Sequence, residues 1–330
     1  ILMALFFFDN IWASCWIDIS TGLFKSTISN ESHLLSLIDQ ISPKETISYA
    51  NKKELSILKS SAPVEITWIE SKKKISRSIL IDYLSSFFDP ERLQKLDTGL
   101  LGSISLLVEY LKKNKNLFLD HFDIPEQVEL SNIMTIDPST RKNLEINTSL
   151  DGEKNLSLLG VVDKTCSLLG SRLLKRRLNG PSTQTDQIFK WQGKISEFYN
   201  DYQITKEVRS LISNFPDTER ALSRLIRLGP NPRDLYSLKA GMNLFFLLKE
   251  KIKFLRKNNI NLDNTVEDNL KNILKELDSA IKEEPPLTIK EGAFIKENFN
   301  KELQKIKLEE KEATFDLLEL QKKYSLETGI

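Results

Sequence analysis

The sequence predicts an α/β domain followed by an all-α region that ends in one long amphipathic helix. Three observations carry this. Over roughly the first 115 residues, short runs rich in β-branched and aromatic residues alternate with stretches of helical periodicity, the pattern of a sheet with crossover helices. From Asp137 onward nearly every segment reads as helix. Between Phe299 and Tyr324 the apolar residues recur as a heptad seam.

The elements follow in order. Residues 3–8 form a continuous apolar run, Asp9-Asn10 is a turn signal, and "IWASCWIDI" is a second strand. Ser20-Thr21-Gly22 turns the chain again into "LFKSTI". Asn30 is placed to cap a helix whose Leu34, Leu37, Ile38 and Ile41 share a face. A strand near "TISYA", a helix near "KKELSILK", a strand "VEITWI" and a helix near "SRSILIDYLSSFF" continue the alternation, and a helix from Thr98 to about Lys113 closes it. "VELSNIMTI" reads as a last extended piece.

The stretch "IDPSTRKNLEI" then starts a short helix sharply. Asp137 caps it, Pro138 occupies the first turn where its missing N–H costs nothing, and Arg141 and Glu145 are spaced to pair on the surface. "SLLGSRLLKRRL" stops at Asn179-Gly180-Pro181, and a helix begins in "TQTDQIFKWQGKISEFYND". "PDTERALSRLIRL" is bounded by Pro216 and Gly229-Pro230. Asn231 and Pro232 open "NPRDLYSLKAGMNLFFLLKEKIKFL", and "TVEDNLKNILKELDSAI" ends before Pro285-Pro286. In the last block Phe299, Leu303, Ile306, Ala313, Leu317, Leu320 and Tyr324 keep the heptad seam, broken by Glu310.

Composition bounds the function classes. Of 330 residues, 40% are hydrophobic and 28% charged, ordinary for a chain with a real core. The net charge of +1 gives no global field toward nucleic acid or membrane. Two cysteines, Cys15 and Cys166, sit far apart in apolar surroundings and read as buried thiols of a reducing cytoplasm. The N-terminal "ILMALFFFD" is too short to span a bilayer and lacks the basic start of a signal peptide. The chain opens on Ile in mid-pattern and stops in a periodic run, so the expectation is an internal piece of a longer protein.

Chemistry-bearing motifs are sparse. The sequence contains neither G-x-x-x-x-G-K-[ST] nor G-x-G-x-x-G, and His33 and His121 have no metal-ligand spacing. The hairpin followed by helix–strand alternation suits an RNase H-like mixed sheet, which raises the alternative of a metal-dependent nuclease with a helical appendage. Asp9 and Asp18 are its available acids, and no third acid is well placed on a later strand. Two sets of cations, Arg172, Lys175, Arg176, Arg177 and Arg220, Arg224, Arg227, recur on helices. Cations favour helix C-termini in any case. Arg176, Arg177 and Arg224 remain candidates for weak DNA or partner contact.

Three stretches then resemble the core (lever) segment of the MutS family of DNA mismatch repair proteins: "MTIDPSTRKNLEI", "SLLGVVDKTCSLLGSRLLKRRLNGP" and "FPDTERALSRLIRLGPNPRDL". The family patterns are D-x-x-T-[RK]-x-N-L-E, D-x-T-x-T-x-x-G-x-R-x-L and an aspartate-led E-R-x-x-x-R helix. Ser167 and Thr218 depart from them slightly. "ASCWIDISTGLFKST" resembles the family's connector hairpin, and "PPLTIKEGAFIKENFNKELQKI" with "SLETGI" resembles the entry to its clamp arm. The resemblance implies an RNase H-like connector over 1–115, a helical lever over 116–285 and a truncated, coiled-coil-like clamp helix over 286–330. It implies structural roles for Asp137, Pro138, Arg141, Asn143, Glu145, Gly170, Arg172, Glu219 and Arg220.

The same resemblance implies a relay between an ATPase domain and the mismatch-binding and clamp-tip elements, with no catalysis and no cofactor in these residues. ATP and Mg belong to the ATPase domain of a DNA-dependent ATPase parent. That parent is expected to be cytoplasmic and homodimeric, to act on mismatched double-stranded DNA without a membrane, and to meet a MutL-type partner through the connector.

Overall fold

The computed structural model describes residues 1–49, 66–68, 76–115, 122–255, 260 and 262–329. The chain divides into two compact units, residues 1–229 with 244–260, and residues 230–243 with 261–330.

The first unit is built on a mixed six-stranded sheet. β1 (Leu2–Phe8) and β2 (Ile11–Asp18) form an antiparallel hairpin in which Leu2 faces Ile17 and Phe8 faces Ile11. Its two-residue turn is Asp9-Asn10, with φ of 54° and 63°. Both residues are left-handed, as a hairpin turn matched to strand twist requires. β3 (Leu23–Ser29) pairs antiparallel with β2. In the turn between them the Asp18 carbonyl accepts from Thr21 N and Gly22 N, at 3.1 and 2.8 Å. The Asp18 carboxylate takes Ser20 N and Oγ at 2.9 and 2.7 Å. β4 (Glu45–Ser48) lies parallel to β1, β5 (Ile66–Trp68) parallel to β4, and β6 (Glu126–Gln127) parallel to β3. The order is β5-β4-β1-β2-β3-β6.

Both faces of the central hairpin are covered, which is why its strands read as continuous apolar runs. Leu2, Ala4, Cys15 and Ile17 face α4 (Thr98–Lys115), packing with Leu101, Ile104, Leu107 and Leu111. Met3, Leu5, Trp12 and Trp16 face α1 (Glu31–Ile41), packing with Leu34, Leu37 and Ile38. Asn30 caps α1 by accepting from His33 N at 3.0 Å. Between the strands and α4 lie α2 (Arg77–Leu84), capped by Ser76, and the short α3 (Pro90–Leu93), capped by Asp89. α2 ends at Leu84, short of the Phe88 that its sequence pattern suggests, and α3 is a separate turn that the pattern does not mark. The helix expected near "KKELSILK", Lys72-Lys73-Lys74 and His121 lie outside the described residues.

The expected extended piece after Ile124 is displaced. The strand is Glu126–Gln127, with Val128 N still donating to Ser26 O at 2.8 Å, and the chain then coils through a 3₁₀ turn at Leu130–Asn132. Helices follow in close succession: α5 (Pro138–Asn143), α6 (Leu158–Val162), α7 (Leu168–Asn179), α8 (Thr185–Asn200), α9 (Tyr202–Ser213), α10 (Thr218–Leu228) and α11 (Pro232–Ile252). α9 had no counterpart in the sequence reading. Asp201 ends α8 and at once caps α9 by accepting from Ile204 N at 2.9 Å.

The second unit contains the first half of α11, α12 (Asn264–Ala280) and α13 (Lys301–Thr328). Lys239, 7% exposed, reaches Asp278 at 3.1 Å and the Ile281 carbonyl at 3.3 Å. α13 starts under an Asn300 cap, so Phe299 precedes the helix and does not belong to its seam. From Ile306 outward the remaining apolar positions of that seam, Leu317, Leu320 and Tyr324, are all exposed.

Gly102 of α4 offers a test of the packing. A Cβ there would sit 2.6 Å from two ring carbons of Phe6, itself buried. In an unhindered helix Gly→Ala stabilises by about 1 kcal/mol. Here Gly102→Ala should instead destabilise by roughly 1–3 kcal/mol, the usual cost of overpacking, read as a lower urea midpoint.

Candidate functional site

The residues singled out by motif assemble into two polar clasps. The first begins at Asp137. Its carboxylate caps α5 by accepting from Thr140 N at 2.9 Å and from the hydroxyls of Ser139 and Thr140. These donors hold its carboxyl well below the usual carboxylate range. With Pro138 in the first turn the helix starts abruptly and lasts six residues. That places Arg141 one turn in, 5% exposed.

The Arg141 guanidinium is surrounded. Its Nε lies 2.9 Å from Asp39 Oδ2 of α1, and Nη1 donates to the carbonyl and the side-chain oxygen of Asn179, at 2.9 and 3.1 Å. Asn179, also buried, exchanges two hydrogen bonds with Asn147, at 2.7 and 2.9 Å, and donates to the Lys175 carbonyl at 2.9 Å. The Arg141–Asp39 approach is short but off the N–H direction, and Nη2 has no hydrogen-bond partner among the described residues. Burial accordingly dominates both groups: it pushes Arg141 down and Asp39 up, each against the attraction of its partner. The pair is therefore a geometric fixture more than a source of net stability.

This corrects the surface pairing expected of Arg141 and Glu145. α5 ends at Asn143, so helical i,i+4 spacing does not extend to Glu145, whose φ is 48°. The Glu145 carboxylate accepts from Leu150 N instead, and its carbonyl accepts from Leu158 N at 2.9 Å. Asn143 is exposed at the end of α5.

The second clasp joins α7 to α10. Arg172 grips Asp217 with both terminal nitrogens, at 2.8 and 2.6 Å, and Glu219 at 2.9 Å. This fork-to-carboxylate geometry is among the strongest side-chain contacts available. It pushes the Arg172 guanidinium up and holds Asp217 below the usual range. Asp217 also caps α10 through Arg220 N at 3.3 Å, and the Arg220 guanidinium lies 3.7 Å from its other oxygen. Upstream, Asp163 accepts from Thr165 N and Oγ1 and from Ser171 Oγ, at 3.0, 2.6 and 2.6 Å. Gly170 N donates to the capping Ser167 Oγ at 3.2 Å. Ser223 of α10 donates to the Ile19 carbonyl at 2.7 Å, which ties the helices back to the β2–β3 turn.

Sequence reasoning missed Asp39, Asn147, Asn179 and Asp217 as partners. Asn179 reads as part of a helix stop and Asp217 as an acid beside the Arg220 set; each also meets an arginine distant in sequence. The weaker candidates do not converge. Arg177 stacks over Trp191, 4.4 Å from the ring centroid, Arg176 borders a cavity beside Asn179, and Arg224 is exposed on α10. Asp9 and Asp18 lie at opposite ends of β2, roughly 25 Å apart at strand rise, too far to share a metal. Among the described residues no cluster of three or more metal-ligating side chains occurs, and no helix is long and apolar enough to cross a membrane.

The described residues thus combine a sheet covered on both faces with a run of tightly capped helices, and two arginine clasps tie elements together, one buried at Arg141 and one partly buried at Arg172. Comparison with known proteins gives the family. Residues 1–123 match the model for MutS domain II, and residues 139–327 match that for MutS domain III. The chain belongs to the MutS family. It is 31% identical to the DNA mismatch repair protein MutS of Clostridium botulinum (strain Eklund 17B / Type B), over 94% of this chain and 34% of that protein. It is 29% identical to that of Acetivibrio thermocellus, over 100% and 39%, and 28% identical to that of Paracoccus denitrificans, over 96% and 36%. The chain thus spans little more than a third of the length of these relatives.

Two measurements test the clasps. Arg141→Met, which leaves the buried Asn179 carbonyl without the arginine donor while its side-chain oxygen keeps Asn147, should cost about 2–4 kcal/mol. Asp39→Asn, which leaves the buried Arg141 guanidinium without its countercharge, should also destabilise, by roughly 3 kcal/mol. A neutral Asp39→Asn in denaturant titration would contradict this geometry. For Asp217, whose folded-state pKa is depressed, the contribution is full above the ordinary aspartate pKa of about 4 and is lost as pH falls through the folded value. The stability gap between the unmodified chain and Asp217→Asn should therefore be constant from pH 7 to 5 and shrink below pH 4.

Proposed function

We propose that this chain is the structural and signal-relaying part of a MutS-type DNA mismatch repair protein. On this reading it couples an ATPase domain to mismatch-binding and clamp-tip elements, all lying elsewhere in the protein. The observation that carries the reading is the pair of clasps. Each fixes the direction of a helix by gripping a residue far away in sequence. A relay needs such joints, because a displacement at one end survives to the other only through elements that do not bend between them.

Several finer assignments go with this reading. Among β1 to β5, only β2 runs against the others, which supports an RNase H-like connector over 1–115. The lever then occupies 116–285, and α13, within 286–330, begins the clamp arm. The nuclease alternative is not favoured, since Asp9 and Asp18 do not converge. Catalysis in these residues is not part of the proposal. ATP and Mg are assigned to the ATPase domain of a DNA-dependent ATPase, a homodimer in the cytoplasm that acts on mismatched duplex and receives a MutL-type partner at its connector.

The experiment uses the full-length protein with Arg172→Gln. Mismatch affinity without nucleotide, and ATP affinity without DNA, should each stay within about twofold of the unmodified protein. ATP-triggered release from mismatched duplex should slow several-fold. Release at the unmodified rate would refute the relay, and measurable ATP turnover by residues 1–330 alone would refute the division of labour.

A further inference from the structure

The side of α7 that carries Arg172 and Asn179 also carries Lys175 and Arg176. These four residues, spaced as successive turns of one helix face, line one wall of a cavity of about 390 Å³ that lies between the two clasps. Away from α7 the lining has an apolar part, which includes Trp16, Leu37, Ile41 and Ile133, and a polar part, which includes Asp18, Lys25, Gln40 and Glu219. Trp16 and Leu37 are 5% and 3% exposed and belong to the packed layer under α1, so the apolar part is fixed.

Most charges around the cavity are committed. Lys25 lies 3.4 Å from Glu126, Arg172 grips Asp217 and Glu219, and the Asp18 carboxylate is engaged by Ser20. Lys175 and Arg176 differ: through their side chains neither makes an ion pair or hydrogen bond among the described residues. The helix C-terminus favours a cation at this turn, which accounts for the charge but not for its lack of a partner. The neighbouring Arg177, on another side of the same turn, has found the Trp191 ring.

We propose that this cavity is a binding site for a small amphipathic anion. An aromatic or branched aliphatic body seats against Trp16, Leu37 and Ile133, and a single carboxylate is held by Lys175 and Arg176. The volume falls in the range of small-molecule pockets, and the lining pairs apolar side chains with charged ones, as an amphipathic occupant requires. The anion supplies the two cations with charge-assisted hydrogen bonds that no side chain gives them. Since one wall is the sheet domain and the other is α7, the occupant touches both, and a ligand of the folded state alone raises its stability. The inference is independent of the relay function.

Indole-3-acetate is a suitable probe, with indole and acetate as controls lacking the charge and the ring. Titrated into the ¹⁵N-labelled chain, indole-3-acetate should give saturable 1:1 shifts at the amides of Asn179, Gly180 and Gln40, which border the cavity, and should raise the melting temperature. The double variant Lys175→Gln/Arg176→Gln, exposed at both positions and so expected to fold normally, should bind at least tenfold more weakly. Indole binding as tightly as indole-3-acetate, undiminished binding by the double variant, or no saturation at millimolar probe would each overturn the assignment.

Discussion

The start of the helical part of this chain depends on how one buried guanidinium is answered. Arg141 cannot reach solvent, and a guanidinium has five donors and no acceptor. Whatever surrounds it must supply oxygen atoms at fixed positions. Asn179 supplies two, one from the backbone at the last residue of α7 and one from its side chain. The Asn147 amide then locks the Asn179 side chain in the one orientation that points its oxygen at the arginine. Asp39 supplies the countercharge from α1. Three segments are thereby held to one point, and the firmly capped start of α5 gains its purpose: Asp137 and Pro138 fix where the first turn begins and hence where Arg141 lands.

The second clasp repeats the logic with opposite energetics. Arg172 is only partly buried, and its bidentate contact with Asp217 shifts both groups toward their charged forms, whereas burial shifts Arg141 and Asp39 toward their neutral ones. One clasp adds stability. The other chiefly excludes alternatives, since any packing that left Arg141 buried without Asn179 would carry the whole desolvation cost. A frame that must hold direction gains from both kinds.

What was legible in the sequence was whatever is decided within a few residues. Asn30, Asp137, Asn231, the Asp9-Asn10 turn and the stop at Gly180 are local chemistry, and the structure has each in place. Gly180 is instructive: a glycine closing a helix usually adopts a left-handed conformation, yet its φ is −135°. The close approach of Gln40, 2.3 Å from where a Cβ would stand, is what glycine permits there. Long-range partners were not legible. Asp39 and Arg141 are separated by most of the α/β domain, and nothing in either neighbourhood marks the other. Arg141 was misread for the same reason: a carboxylate four residues on offered a surface partner, and only the early end of α5 removed it. The boundary between α8 and α9 was hidden because Asp201 serves both helices.

The long helix α13 shows where the framework argument leads. Within it, Leu317, Leu320 and Tyr324 are spaced for a seam and are exposed, while charged residues occupy most of the intervening positions. A helix of 28 residues with a clean Asn300 cap has its entry direction set at one end only. Propensity and surface ion pairs sustain such a helix weakly, so an apolar stripe of this length is stable in service only when another surface covers it. The clasps, in contrast, close on residues of their own unit. Long-range polar contacts are therefore concentrated around Arg141 and Arg172, while the apolar stripe of α13 stays exposed. On the relay proposed above, that contrast has a use, because the capped end sets the direction of the helix while the uncovered stripe is left for another surface to meet.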